Sequence, residues 1–288
     1  MFCNISAVYK GFAMKKGKLV LTSLLSVLAL SLTSCEKRIE RIDVEGFEEM
    51  KAVLKDTFAK TFEHDNLTVV WSDTGGYVDY TEEINGTTSH IVEKRYLEKK
   101  YGGPYETFSE TWSFIDDSGE MISAKRTYYK DGTAEKEEKT SYMRGKETYE
   151  STYKSFRHYF DMVTNIDTYL RSNSSEGGEK DYFELTRFSG YKYTNVKYED
   201  KYYKDYFSFD GYTDIGTDNS DLSLMVFGFA DSETGLLEES HILLSFPREA
   251  YSPFDVESKF FAYDFRYDTN KLPISCPDIS TWEDVTSK

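Results

Sequence analysis

Histidines, cysteines and clustered acids are the residues of this chain that could bind a metal or attack a substrate. The four histidines lie far apart: His64, His90, His158 and His241. None has the His-x-x-x-His or Cys/His spacing of a zinc site. Residues 210–225 are rich in aspartate but lack the glycine and the final glutamate of a calcium-binding loop. With no nucleophile elbow, phosphate loop or dinucleotide fingerprint either, the sequence predicts a protein that is not an enzyme and has no metal and no cofactor.

Cys35 is the residue whose position suggests covalent chemistry. Three lysines, Lys15, Lys16 and Lys18, precede an uncharged run of 17 residues that ends at Cys35. A positive segment followed by a short apolar one is the layout of a secretory signal. Six of the 17 side chains are hydroxyls, so a stable transmembrane helix is the weaker interpretation, although an uncleaved signal anchor stays as an alternative.

The end of that run, Leu32-Thr33-Ser34-Cys35, resembles the lipobox of bacterial lipoproteins. In that family a peptidase cuts before the cysteine, which then carries a diacylglyceryl group and further acyl chains such as palmitate. The resemblance implies that residues 1–34 are removed, as an over-extended start plus a signal peptide that begins at Met14. It also implies a lipid-anchored protein on the extracytoplasmic face of a bacterial cell membrane, with residues 35–43 as the lipidated cysteine and a short tether.

The charge balance excludes a polyanion as the main partner. The chain has 51 acidic and 35 basic side chains and a formal charge of −16. Removal of residues 1–34 takes away four lysines and no acid, so the mature chain would carry −20. Nucleic-acid binding requires clustered lysine and arginine, and in this chain acidic residues are interspersed among them. Anionic lipid headgroups would repel such a chain, so attachment should depend on the acyl anchor.

Apolar periodicity predicts the order helix, strands, helix, strands. From Phe47, apolar residues follow one helical face through Met50, Leu54, Phe58 and Phe62. After Asn66 the pattern changes to short strands and tight turns, including the hairpin signal Asn85-Gly86. A second helix is predicted from Tyr153 to Leu170, and further strands follow from Tyr182 to Tyr267.

This order of elements resembles the lipoprotein-carrier (LolA/LppX-type) superfamily. The chain also ends in Leu272-Pro273-Ile274-Ser275-Cys276-Pro277-Asp278, which is similar to the closing strand of such proteins. The resemblance implies one α+β domain over residues 44–288: a curved antiparallel β-sheet, or half-barrel, with amphipathic helices covering its concave face. Cys276 is expected to be a buried, small hydrophobic residue.

Two functions stay open at this point. The first is the binding of a hydrophobic acyl or lipid ligand between sheet and helices, as the carrier resemblance implies. Its contacts would be aromatic residues on the helix faces and strands: Phe58, Phe62, Trp71, Trp112, Phe156 and Phe160. The alternative is a surface lipoprotein with a filled core that binds a protein or glycan partner through its loops. An enzyme comes third, since paired carboxylates for glycoside hydrolysis cannot be located from sequence spacing.

Overall fold

The computed structural model describes residues 38–73, 77–97, 104–130, 133, 135–165, 187–198, 202–213, 222–245, 258–267 and 272–287. From Ile39 onward these residues belong to one compact unit. The predicted signal peptide and Cys35 lie outside the described residues. Residues 166–170 of the predicted second helix also lie outside them.

Strands account for most of the described chain. The first seven strands are β1 (Glu40–Val44), β2 (Asn66–Asp73), β3 (Val78–Asn85), β4 (Thr88–Tyr96), β5 (Tyr105–Ile115), β6 (Met121–Tyr129) and β7 (Lys136–Arg144). The others are β8 (Arg187–Tyr198), β9 (Tyr202–Thr213), β10 (Leu222–Asp231), β11 (Leu237–Ser245), β12 (Ser258–Tyr267) and β13 (Glu283–Asp284). The helices are α1 (Phe47–Phe62), α2 (Lys146–Thr152) and α3 (Arg157–Thr164).

Helix α1 confirms the first helical prediction. It begins after Gly46, whose φ of 92° is a left-handed conformation that suits glycine. Glu48 and Glu49 lie in its first turn and Lys60 in its last, which complements the helix dipole. The apolar face predicted from the spacing is the face that becomes buried.

The predicted single helix from Tyr153 to Leu170 is wrong over its described part. Two short helices, α2 and α3, are separated by a turn over residues 153–156. Lys154 in this turn has φ of 56°, which is incompatible with a continuous right-handed helix. A buried carboxylate from β3 holds the turn, as described below.

The predicted fold class is wrong as well. Within the described residues, thirteen strands form one mixed sheet, in the order β1-β8-β9-β10-β11-β12-β2-β3-β4-β5-β6-β7-β13. All neighbouring strands are antiparallel except β7 and β13, which are parallel. Because β12 pairs with β2, the two predicted strand sets join into a single sheet with one 16-residue helix and two short ones. This is not an α+β half-barrel covered by helices, but a predominantly antiparallel sheet.

The first strand lies where the sequence suggested a polar tether. Residues 40–43, together with Val44, form β1 and pair with β8 from Glu40–Thr194 to Val44–Gly190. Val44 is buried in the main core. The folded region therefore begins closer to Cys35 than the composition of this segment indicated.

Two hydrophobic clusters stabilise the described residues. The main one joins α1 and α3 to strands on both sides of the β12–β2 pair, and it includes Met50, Leu54, Phe160, Phe207 and Phe261. We call the face of the sheet that carries this cluster the helix face. The second cluster lies on the opposite face: Trp112, Phe114, Ile122 and Ala124, packed against Ile274, Ile279 and Trp282 of the C-terminal segment.

The C-terminal segment does not bury its cysteine. Cys276 is a free, exposed thiol, so the prediction of a buried cysteine is wrong. Its neighbours Ile274 and Ile279 make the apolar contacts of this segment instead.

Candidate functional site

Three rows of directly opposed residues cross β2 to β6 on the helix face. The first row is Trp71, Tyr80, Glu93, Ser109 and Thr127. The second is Val69, Glu82, Ile91, Thr111 and Lys125, and the third is Leu67, Ile84, Ser89, Ser113 and Ser123. Residues opposed in this way lie side by side on one face of a sheet. In each row the helix face therefore changes from apolar at β2 to polar and largely hydroxylic at β5.

A cavity of about 280 Å³ lies over the first two rows. The strands contribute one part of its lining: Trp71, Tyr80, Ile91, Glu93, Ser109, Thr111 and Lys125. The helices and the turn between them contribute the rest: Ser151, Thr152, Ser155 and His158. We call this space the hydroxyl cavity because five of its eleven lining residues are serine or threonine.

Stacked aromatic rings form one wall of the hydroxyl cavity. The Trp71 and Tyr80 rings are nearly parallel, with an interplanar angle of 11° and a centroid separation of 3.8 Å. Trp71 is only 3% exposed and also stacks on Tyr263, at 6.0 Å. Tyr80 is half-buried, so it is the more accessible ring of the pair. The wall thus offers a flat ring backed by a fixed second ring.

Glu93 places a carboxylate in the same cavity. The residue is 9% exposed, and its Oε1 accepts a hydrogen bond from Arg95 Nε at 2.6 Å. Its Oε2 accepts a second hydrogen bond from the Ser109 hydroxyl at 2.8 Å. A carboxylate offers about four acceptor positions, so two donors leave it able to accept from a ligand. The ion pair with Arg95 keeps this group oriented and balances its charge.

The hydroxyls beneath α2 form a network that fixes the opposite wall. Thr152 Oγ1 lies 2.7 Å from the hydroxyls of both Ser113 and Ser123, and it also donates to the Thr148 carbonyl at 2.9 Å. Ser151 donates to the same carbonyl at 2.8 Å. These bonds attach α2 to the third row of the sheet, so the residues of α2 that line the cavity are held in position.

Buried Glu82 holds the turn that completes the cavity. Its Oε1 accepts from the Ser155 backbone N–H at 2.8 Å, and its Oε2 accepts from the Ser155 hydroxyl and the Phe156 N–H at 2.9 and 3.0 Å. These are the otherwise unpaired donors at the start of α3, so Glu82 acts as a helix cap from a distant strand. Glu82 has no exposed surface, and this burial raises its pKa to about 7.

Lys154 ties the same turn to α1. Its ammonium group donates to the backbone carbonyl of Phe62, the last residue of that helix, and, at 3.3 Å, to that of His64 just beyond it. Half-burial lowers the pKa of Lys154. Together Glu82 and Lys154 explain why the chain turns at residues 153–156.

The six ligand contacts predicted from the sequence divide between two places. Five lie together on the helix face: Phe58, Phe62, Trp71, Phe156 and Phe160. The four phenylalanines pack on one another, with ring centroids 5.8 Å apart for Phe58–Phe62 and 5.6 Å for Phe62–Phe156. The sixth, Trp112, lies in the second cluster on the opposite face. Only Trp71 lines the hydroxyl cavity.

A second space lies between α1 and α3. This groove has a volume of about 480 Å³. Its apolar lining is Leu54, Phe58, Ala59, Phe62 and Phe160, and its polar lining is Lys55, Glu63, Arg157, Asp161, Thr164 and Asn165. Leu54, Phe58 and Phe160 are almost fully buried, so Ala59 and Phe62 are its accessible apolar residues.

A third space, of about 530 Å³, lies over β5, β6 and β7 and is rich in acids. Each of its three carboxylates already has a partner within the described residues. Glu106 pairs with Lys136 at 3.6 Å, and Glu138 lies 3.8 Å from the Arg126 guanidinium. Glu110 accepts a hydrogen bond from the Tyr128 hydroxyl. The carboxylates of this third space are therefore engaged with neighbouring side chains.

No group of three His, Cys, Asp or Glu side chains within the described ranges is arranged to hold a metal ion. The acidic stretch tested against the calcium-loop template lies partly outside those ranges, because residues 214–221 are not described. In the part of the chain that the structure describes, no helix is both long enough and apolar enough to span a membrane.

No protein-family model, no curated protein and no solved structure matches this chain. The resemblance to bacterial lipoproteins at Leu32–Cys35 therefore stays a prediction from the sequence.

The sequence did contain a signal for the hydroxyl cavity. Ser109, Thr111 and Ser113 alternate along β5 with Glu110 and Trp112. Alternate residues of a strand share a face, so a hydroxyl-bearing face opposite Trp112 could have been inferred. Trp112, the β5 residue predicted as a ligand contact, lies on the other face of that strand.

Proposed function

We propose that this chain is a bacterial lipoprotein, anchored through Cys35 outside the cytoplasm, that binds a single sugar ring in the hydroxyl cavity. This is the surface-lipoprotein interpretation with a glycan partner, and it involves binding without turnover. The observation that carries it is the combination of Tyr80, Glu93 and the hydroxyls of Ser109 and Thr111 around one small space.

The chemistry of the lining matches that of a sugar. A sugar ring has hydroxyls that both donate and accept hydrogen bonds, and its C–H faces are apolar. Tyr80, stacked on Trp71, offers a flat apolar surface, and Glu93 offers a charged acceptor. A volume of about 280 Å³ is close to the lower end of small-molecule sites, roughly 300 Å³, which favours one ring over a long chain.

The filled main core supports this function over an apolar cavity. Phe58, Phe156 and Phe160 are each at most 2% exposed and contact other core rings. Close-packed side chains leave little room for an acyl chain beneath α1. The hydroxyl cavity, which stays open on the same face, is lined by hydroxyls, a carboxylate and aromatic rings instead of aliphatic side chains alone.

Replacing Glu93 with glutamine should weaken sugar binding. Hydrogen bonds to a charged group contribute about 1.5 to 3 kcal/mol, so we expect affinity to fall by roughly 10- to 100-fold. Isothermal titration calorimetry with a panel of monosaccharides would measure this on the full chain in a polyoxyethylene detergent, because sugar-headed detergents would compete. The matched control is Glu138→Gln on the opposite face of the sheet, which should bind like the parent chain. A folded chain that binds no sugar of the panel, or equal losses in both variants, would contradict the proposal.

A second candidate function is supported by the groove between α1 and α3. Ala59 and Phe62 give it an apolar surface, and Lys55 and Arg157 could meet an acidic headgroup. An acyl ligand would lie in this groove rather than under α1. This is the form of the hydrophobic-ligand prediction that the described residues support best.

Filling the groove should prevent any such acyl binding. We expect Ala59→Trp to remove a lipid that co-purifies after exposure to host membranes, because the added ring would occupy the space. Ala52→Trp is the control, since Ala52 is also an exposed alanine of α1 but lies outside the groove. The bound lipid is identified by solvent extraction and mass spectrometry, in which a covalent anchor stays with the protein. An empty parent chain, or equal lipid in both variants, would argue against this candidate.

A further inference from the structure

We infer that the sugar ring bound in the hydroxyl cavity is acidic, and that Lys125 binds its carboxylate. This inference rests on the proposed function, because it specifies the class of sugar for the same site. Lys125 lies on β6 directly opposite Thr111 of β5, and both residues line the cavity. Its side chain is exposed, at the side of the cavity away from the aromatic wall.

Lys125 has no acidic partner within the described residues, unlike Arg95 and Lys139 on the same face of the sheet. Within the described residues no carboxylate lies within 4 Å of its ammonium group. Arg95 is bound to Glu93 at 2.6 Å, and Lys139, which follows on the same face of β7, pairs with Glu137 at 2.9 Å. In a chain with 51 acids and 35 bases, most cations can find a partner. The cavity has therefore kept a positive charge available.

The charges of the cavity leave a net positive site. The negative charge of Glu93 is balanced by Arg95, so Lys125 contributes a charge that the lining does not neutralise. An ammonium group is a compact charge with three donors, which suits a carboxylate or a ring hydroxyl. The overall charge of −16 would repel an anion, but salt screens that repulsion beyond about 8 Å at physiological ionic strength. The attraction between an anion and an ammonium group in the same cavity is screened much less.

The arrangement can orient an acidic sugar in one direction. Across the cavity, Glu93 and Lys125 occupy adjacent rows on β4 and β6, with Thr111 between them on β5. Glu93 accepts from ring hydroxyls and would repel a carboxylate, while Lys125 attracts one. The acid group of the ligand should therefore lie at the β6 side, with its hydroxyls toward Glu93.

Titration of the full chain with glucuronate and galacturonate, and with glucose and galactose, tests this inference. We expect the uronates to bind about tenfold or more tightly than the neutral sugars at low salt, and added salt to reduce the difference. Lys125→Gln should lower uronate affinity by about tenfold and so remove the preference for uronates over neutral sugars. Lys139→Gln on the same face is the control and should keep the preference.

The outcomes separate this inference from the function on which it rests. Equal affinity for uronates and neutral sugars, unchanged by Lys125→Gln, would overturn the acidic-sugar inference and leave sugar binding standing. Absence of binding for all four sugars by a folded chain would overturn both. If Lys139→Gln removed the uronate preference and Lys125→Gln did not, the carboxylate would bind Lys139 instead of Lys125. That result would also overturn the inference.

Discussion

Replacing Phe58 with alanine should lower the free energy of unfolding by about 3 to 5 kcal/mol, the range for buried Phe-to-Ala changes. Phe58 is 1% exposed and lies at the centre of the contacts between α1, α3 and the sheet. Its ring contacts Phe62, Phe160 and Phe207. Removing the ring would leave a cavity that three rigid neighbours cannot fill. Urea unfolding followed by tryptophan fluorescence gives the midpoint and slope.

Phe62→Ala is the matched control, one turn further along the same helix. Phe62 is only partly buried and packs at the margin of the core, so its loss should cost about 1 to 2 kcal/mol. A Phe58→Ala variant no less stable than Phe62→Ala would show that the space under α1 is not close-packed. That result would weaken the case for a polar ligand and favour an acyl ligand beneath the helix.

Local patterns in the sequence predicted those parts of the fold that depend on near neighbours. Apolar spacing was sufficient for α1, and the Asn85-Gly86 signal correctly predicted the hairpin between β3 and β4. The break after α2 depends instead on Glu82, which is 73 residues before Ser155 in the chain. No local pattern contains that contact. A helical apolar stripe therefore predicted one helix where the structure has two.

Some residue pairs that are typical of turns lie inside strands, where pairing with a neighbouring strand keeps the backbone extended. Ser-Gly and Asp-Gly pairs are typical of turns, yet Ser189-Gly190 and Asp210-Gly211 lie inside β8 and β9. Ser189 pairs with Asp210 across these two strands, and the two glycines pair with Phe209 and Phe188. Long-range pairing overrides a weak local preference in a sheet. The same dependence on pairing explains the wrong fold class, because element order does not determine that β12 joins β2.

The candidate site was the least predictable part. Aromatic residues were expected to meet a ligand, but most of them, such as Phe156 and Phe160, fill the core. Burial of an aromatic ring and its exposure to a ligand give the same sequence pattern, because both require an apolar face. The residues that line the hydroxyl cavity are common surface types, and only their alternation on β5 distinguishes them.

Replacing Glu82 with glutamine should remove a dependence of stability on pH near neutrality. In the folded chain, burial raises the pKa of Glu82 to about 7, although three hydrogen bonds and nearby Lys154 favour the charged form. The second row contains no other carboxyl group. The first row contains Glu93, which is paired with Arg95. In the unfolded chain the ordinary value is 4.5. The folded state thus holds a proton that the unfolded state has lost between these two values.

The sign of the effect follows from that difference. The contribution of Glu82 to stability is complete below about pH 4.5 and is lost as the pH rises through about 7, because the charged form is disfavoured in the core. Between about pH 5 and pH 8 the loss amounts to about 2 to 3 kcal/mol. His241 has the opposite effect. Because burial lowers its pKa, its contribution to the stability of the folded chain increases as the pH rises. The comparison of two chains that share His241 cancels this contribution.

Urea unfolding of the parent chain and Glu82→Gln at about pH 5, 6, 7 and 8 tests this prediction. The stability of the parent relative to the variant should fall by about 2 to 3 kcal/mol across this range, with most of the fall below pH 7. Glu83→Gln, one residue away on the opposite face of β3, controls for the removal of one negative charge from the strand. A constant difference between parent and Glu82→Gln would mean that the hydrogen bonds from Ser155 and Phe156 keep the carboxylate charged throughout. In that case the hydrogen bonds, rather than burial, would determine the charge of Glu82. The contribution of the turn at residues 153–156 to the free energy of unfolding would then not change across neutral pH.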